Sequence, residues 1–137
     1  MAEVTEQGEL GAGIDDVWKL VADFGGFPAA MGLAVEVDGD GIGQTRTLSM
    51  GGPPMVERLE ELDPEAKRVV YSIVEGPMPF TDYRSTMQLS PAGDGRTALE
   101  WSGTFEPAAG TSADDAAALV RRIYQGGIAA LQGRFGA

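Results

Sequence analysis

SADDAAALVRRIYQGGIAALQGRF, residues 112–135, is the stretch on which the fold turns. Ala116, Leu119, Val120, Ile123, Gly127, Ile128, Leu131 and Phe135 recur at helical spacing, which predicts one long helix from Ser112 to Phe135 with a single buried stripe. Ser112 is placed to cap it, with Asp115 three residues on. Gly126 and Gly127 fall on or beside the stripe, where a glycine costs roughly 1 kcal/mol relative to alanine, so space is wanted there. Upstream the chain reads as short strands, and a sheet is the only large surface on which this helix can be buried. A sheet that wraps a helix without filling the gap leaves a pocket.

Working back from the helix, Asp38-Gly39-Asp40-Gly41, Asp63-Pro64-Glu65, Gly76-Pro77-Met78-Pro79 and Pro91 to Gly95 are turns by composition. They separate strands expected at Leu33–Val37, Gln44–Met50, Met55–Leu62, Arg68–Glu75, Phe80–Leu89 and Arg96–Phe105. Such short connections favour antiparallel neighbours. At the start, Glu3–Leu10 predicts a further strand, and Ile14, Val17, Trp18 and Val21 mark one face of a short helix with Asp15 and Asp16 in its first turn. Phe24-Gly25-Gly26-Phe27-Pro28 ends that helix, and Ala29–Gly32 adds another short turn. The expected class is α+β: a curved, seven-stranded antiparallel sheet around a long C-terminal helix, with two short helices after the first strand.

At 137 residues the chain is expected to form one domain over its whole length, 1–137. A formal charge of −11, with no basic cluster to offset it, argues against nucleic acid or an anionic lipid surface as partner. The sequence contains neither cysteine nor histidine, which removes disulfides, thiolate and imidazole metal ligands, and serine–histidine hydrolysis. Gly11-Ala12-Gly13 lacks the later glycine and lysine of a phosphate loop, so no cofactor is expected. No apolar run approaches the ~20 residues of a membrane span, and the expected location is the cytoplasm.

Strand alternation selects the side chains with chemistry. Thr81, Tyr83, Ser85, Met87 and Leu89 share one face of their strand, opposite the polar face of Asp82, Arg84, Thr86 and Gln88, so the first set is expected inside. Met55, Glu57 and Leu59 share a face, which brings a carboxylate inward unless Glu57 lies near a solvated strand end. A buried carboxylate needs a partner, and Tyr83, Ser85 or trapped water would supply it. Val69, Tyr71 and Ile73 oppose Val70, Ser72 and Val74, and alternation alone does not choose between them. Tyr71 and Tyr83 read equally as core tyrosines with a bonded hydroxyl. Arg46, Arg58 and Arg84 are expected on the outer face. Met31, Met50, Met55, Met78 and Met87 sit on inner faces or at strand ends, where methionine fills irregular space. Gly51-Gly52-Pro53-Pro54 and Gly76-Pro77-Met78-Pro79-Phe80 are loops suited to a pocket entrance or simply to rigid turns.

The segments Glu57-Arg58-Leu59-Glu60-Glu61-Leu62-Asp63, Tyr71-Ser72-Ile73-Val74-Glu75-Gly76 and Asp82-Tyr83-Arg84-Ser85, with Val17-Trp18 and Trp101-Ser102-Gly103-Thr104-Phe105-Glu106-Pro107, resemble the polyketide cyclase/dehydrase-like (SRPBCC) branch of the START/Bet v 1 superfamily. The resemblance covers essentially the whole chain and implies the helix-grip fold. The sequence is also similar to the plant abscisic-acid receptors. That likeness implies a gate loop at Gly51 to Pro54, a latch loop at Pro77 to Phe80, polar pocket residues Glu57, Tyr83, Ser85 and Glu100, and apolar contacts at Tyr71, Ile73 and Ile123. Met31 stands where those receptors carry the lysine that pairs with the hormone carboxylate, and Gly127 where they carry an asparagine. Within its own strand Glu100 alternates with Leu99 and Trp101, which points it outward unless a bulge intervenes.

Taken together, the expected ligand-binding set is Met31, Met50, Pro54, Glu57, Tyr71, Ile73, Met78, Phe80, Tyr83, Ser85, Met87, Glu100, Ile123 and Gly127. A dry void of ~300 Å³ would cost about 7 kcal/mol, comparable with the stability of a whole domain, so such a pocket holds water or a guest. With an acid and no evident cation inside, the expected guest is a small, neutral or weakly cationic, largely apolar molecule, aromatic or polyketide-like. Two alternatives stay open: a cyclase or dehydratase using Glu57 and Tyr83 for acid–base chemistry, and a ligand-dependent module that docks a protein partner or a second copy of the chain.

Overall fold

The computed structural model describes residues 1–49 and 52–137. Its order is β1 (Ala2–Leu10), α1 (Ile14–Val21), α2 (Gly26–Ala30), β2 (Ala34–Asp38), β3 (Thr45–Ser49), β4 (Met55–Asp63), β5 (Arg68–Glu75), β6 (Phe80–Pro91), β7 (Thr97–Pro107) and α3 (Ala113–Phe135). The seven strands form one antiparallel sheet in the order β1-β7-β6-β5-β4-β3-β2, so the chain runs as a meander from β2 to β7 and β1 closes the far edge. The long helix lies across β1 and β7. This is the helix-grip architecture expected from the sequence.

The helix starts where an extended Ser112 turns its hydroxyl back to accept from the Asp115 amide at 3.0 Å, and Asp114 and Asp115 complement the dipole of its first turn. Ala116, Val120, Tyr124, Ile128 and Leu131 form the stripe buried against the sheet. At roughly 1.5–3 kcal/mol per large buried aliphatic side chain, Val120, Ile128 and Leu131 alone fix its rotation. Leu119, Ile123 and Gly127 run along the flank, and Ile123 is 41% exposed. The expected stripe merged these two rows and left out Tyr124, which is fully buried.

Three register shifts, two in β4 and one in β6, bend the sheet. In β4 the register with β5 shifts between Val56 and Glu57 and again between Leu59 and Glu61. In β6 the register with β7 shifts between Thr81 and Arg84, where Asp82 takes a left-handed backbone (φ 53°). That bulge reverses the parity of the strand start: Phe80 is buried and Thr81 exposed, contrary to simple alternation, while Tyr83, Ser85, Met87 and Leu89 point inward as expected. Pairing of β5 with β6 ends at Ser72 opposite Arg84, and the strand ends beyond it diverge.

Candidate functional site

On the inner face of the sheet a recess of about 300 Å³ opens beside α3. Phe27, Pro28 and Leu33 wall one side, Leu48, Met55 and Tyr71 the sheet side, Trp101 the floor, and Leu119, Ile123 and Met78 the rim. Its polar groups are Arg46 and Glu57.

Arg46 and Glu57 are cross-strand partners in β3 and β4, 5% and 4% exposed. Arg46 Nε donates to Glu57 Oε1 at 2.8 Å, and Nη1 donates to the Phe24 carbonyl at 2.9 Å. The guanidinium also lies over the Phe24 ring at 4.0 Å from its centroid and over the Tyr71 ring at 5.0 Å. Alternation in Thr45-Arg46-Thr47-Leu48 puts Arg46 on the face of Leu48, so the expectation that it faces solvent is corrected. Glu57 is turned inward with Met55 and Leu59, and its partner is this arginine rather than Tyr83 or Ser85. Burial pushes the Glu57 carboxyl above its ordinary range, and the Arg46 charge and hydrogen bond oppose that rise without cancelling it.

Below the recess lies a buried hydroxyl cluster. Tyr124 donates to Ser85 Oγ at 3.0 Å, Ser85 Oγ donates to the Ser102 carbonyl at 3.1 Å, and the Tyr83 and Tyr124 hydroxyls meet at 2.5 Å. Trp101 Nε1 reaches both Ser85 Oγ at 3.0 Å and the Tyr71 hydroxyl at 3.2 Å. Desolvation holds the Tyr71, Tyr83 and Tyr124 phenols above their ordinary range, so all three are neutral at physiological pH.

The expected site residues divide accordingly. Glu57, Tyr71, Met78 and Ile123 line the recess. Ser85 and Met87 are buried in the packed layer beneath it, so the interior is filled where a deeper hollow was expected. Phe80, Tyr83 and Ile73 border a second opening, about 590 Å³, between the diverging ends of β5 and β6. Glu57 and Tyr83, the expected acid–base pair, are therefore not brought together on the recess. Met31 packs against the core without lining the recess, Pro54 is exposed, and Met50 lies outside the described residues. Glu100 is exposed on the outer face, where Gln7 Nε2 donates to it at 3.2 Å; no bulge intervenes between β7 and β1 there, so strand alternation holds and the pocket role implied by resemblance does not.

Gly127 serves packing rather than open space. A Cβ there would fall 2.5 Å from Trp101 Cζ3, and the indole cannot retreat because it stacks on Tyr124 at a centroid distance of 4.9 Å. Gly127→Ala is expected to lower the unfolding free energy by about 1–2 kcal/mol in urea titrations, since overpacking outweighs the helix-propensity gain of about 1 kcal/mol. A stabilised variant would show that the indole has room to move. Phe27, Arg46, Leu48, Trp101 and Leu119 were not in the expected ligand set. The Arg46/Leu48 alternation and the 119/123 helix spacing were the signals available for three of them; the rest depend on tertiary placement. Among the described residues no cluster of three Asp, Glu, His or Cys could hold a metal.

The sequence matches the family described as polyketide cyclase / dehydrase and lipid transport over residues 1–136. The chain belongs to this family. It is 38% identical over 79 residues to the MLP-like protein 423 of Arabidopsis thaliana, an alignment covering 53% of this chain and 50% of that protein, so the match spans about half the relative's length. Among solved structures, XoxI from Bacillus cereus superposes with a TM-score of 0.90 at 32% identity, covering 98% of this chain and 96% of that one. The Zhui aromatase/cyclase from Streptomyces sp. R1128 superposes with a TM-score of 0.79 at 23% identity over 96% and 92% of the two chains, a likeness of fold. No helix among the described residues is long and apolar enough to cross a membrane.

Proposed function

We propose that the chain binds a small, largely apolar molecule, aromatic or polyketide-like, in the recess between α2, the sheet and α3. The observation that carries this is an almost wholly apolar wall with one internally neutralised ion pair set into it. At protein packing density a space of about 300 Å³ accommodates on the order of 15 non-hydrogen atoms. Because Arg46 compensates Glu57, the recess favours a neutral guest over the weakly cationic one that an unpaired acid would have suited.

The cyclase alternative loses support from the placement of its two groups. Glu57 is held by Arg46, and the Tyr83 hydroxyl is engaged by Tyr124 away from the recess. A ligand-dependent partner or homodimer has no specific feature in its favour.

The test is a recess-filling substitution. Leu119 is half-buried on the rim, and Leu119→Trp directs an indole into the space. Equilibrium dialysis of 2-acetylnaphthalene should show binding to the wild-type chain and at least a ten-fold weaker affinity in Leu119→Trp, with the urea midpoint unchanged or raised. Equal affinity in the two proteins would place the binding site elsewhere, and no uptake by the wild-type chain would remove the proposal.

A further inference from the structure

We infer that the Arg46–Glu57 pair reads a phenolic hydroxyl on the guest, which accepts from Arg46 and donates to Glu57. This rests on the recess being a binding site. It follows from what the pair leaves unspent after its internal contacts are counted.

Arg46 uses Nε on Glu57 Oε1 and Nη1 on the Phe24 carbonyl. Among the described residues Arg46 Nη2 and Glu57 Oε2 make no hydrogen bond, so one donor and one acceptor remain on adjoining side chains. Neither atom is sealed in: among the described residues every side-chain nitrogen or oxygen cut off from solvent has a partner, and these two have none. Both residues point to the inner face of the sheet, and the opening they line there is the recess. The other polar side chains beside it are engaged elsewhere. The Trp101 Nε1 proton goes to Ser85 and Tyr71, and the Tyr71 hydroxyl belongs to that lower cluster. The guanidinium is held flat over the Phe24 and Tyr71 rings, so its free edge is positioned before a guest arrives.

The two unspent atoms narrow the class of guest. A hydrocarbon that excludes water from the recess leaves both unmet, and that cost is highest at charged groups. A ketone serves Nη2 and leaves Oε2 unmet. A carboxylate cannot donate and is repelled by Glu57, whereas an ammonium cannot accept and is repelled by Arg46. A hydroxyl does both from one oxygen and brings no charge. Phe27, Tyr71 and Trp101 in the walls suit the flat ring that a phenol carries.

The experiment compares 2-naphthol with 2-methylnaphthalene, which has the same number of non-hydrogen atoms and nearly the same shape, by equilibrium dialysis at neutral pH. The proteins are the wild-type chain, Glu57→Gln and the double variant Arg46→Met/Glu57→Leu, which removes both charges together. The preference for the phenol over the hydrocarbon should fall roughly 10- to 100-fold from wild type to double variant, as expected for a hydrogen bond to a charged group. Glu57→Gln, which keeps the shape of the side chain and loses its charge, should already lower it, so the result does not depend on the double variant folding. Donation to a carboxylate should also shift the absorption band of bound 2-naphthol to the red in the wild-type complex and not in the double variant. An unchanged preference across the proteins, or an unshifted band in the wild-type complex, would overturn the role of the pair and leave the recess standing. Failure of both probes to bind the wild-type chain would instead remove the binding site itself, and this inference with it.

Discussion

Arg46→Met lowers the unfolding free energy by about 3–5 kcal/mol at neutral pH, because it strands a carboxylate whose residue is 4% exposed with no cation to offset its desolvation. The size of the loss depends on pH, and its sign follows from Glu57. Burial already holds that carboxyl above its ordinary range with Arg46 present, and removing Arg46 drives it higher. Between the unfolded and folded carboxyl pKa values the folded variant keeps a proton that the unfolded chain has released, so its stability falls as pH rises through that window. Below the unfolded value both states are protonated and the penalty disappears. Urea titrations followed by tryptophan emission should therefore show the gap between wild type and variant smallest near pH 4 and widest at pH 8. Arg46→Met combined with Glu57→Leu should regain most of the loss at pH 8, since replacing a buried pair by apolar groups is often neutral or better. A pH-independent gap, or a double variant as weak as the single one, would mean that the carboxylate is not desolvated.

Tyr124→Ala is expected to cost a further-reaching 3–5 kcal/mol, estimated as about the loss for a large buried aromatic. The side chain is fully buried and does three things at once. Its ring stacks on Trp101 at an interplanar angle of 16°, its hydroxyl donates to Ser85, and it accepts from Tyr83. A Cβ on Gly103 would collide with that hydroxyl, so β7 is cut back to admit it. Tyr124→Phe keeps the stack and strands the Tyr83 proton, which sets its cost at about 1–3 kcal/mol. Thermal unfolding of the two variants separates packing from hydrogen bonding. Equal losses would assign the whole effect to the hydroxyl, and no loss from Tyr124→Phe would mean that Tyr83 finds another acceptor.

Local pattern carried the architecture and only part of the recess. The long helix, its Ser112 cap and the meander were legible because each depends on residues within a few positions of one another. Glu57 was legible through Met55 and Leu59, two residues to either side. Arg46 carried the same signal in Leu48, yet a guanidinium is ordinarily solvated, and its reason to be inside is a carboxylate eleven positions away that only strand register brings opposite. Tyr124 shares the row of Val120 and Ile128, but the adjacent row of Leu119, Ile123 and Gly127 has equal periodicity, and which row faces the sheet is settled by packing. Phe80 escaped alternation because a bulge at Asp82 reverses parity, which periodicity cannot foresee. At Glu100 alternation was the sounder guide, since β7 and β1 pair without interruption there.

Because the Arg46–Glu57 pair sums to zero inside the fold, the whole −11 of the chain is displayed on its exterior. Any solute heading for the recess first crosses that field. Anions are slowed on approach and neutral molecules are not, with the difference fading once dissolved salt shortens the range of the repulsion to about 8 Å. Sorting by charge thus begins in the surrounding water, before shape is felt at all.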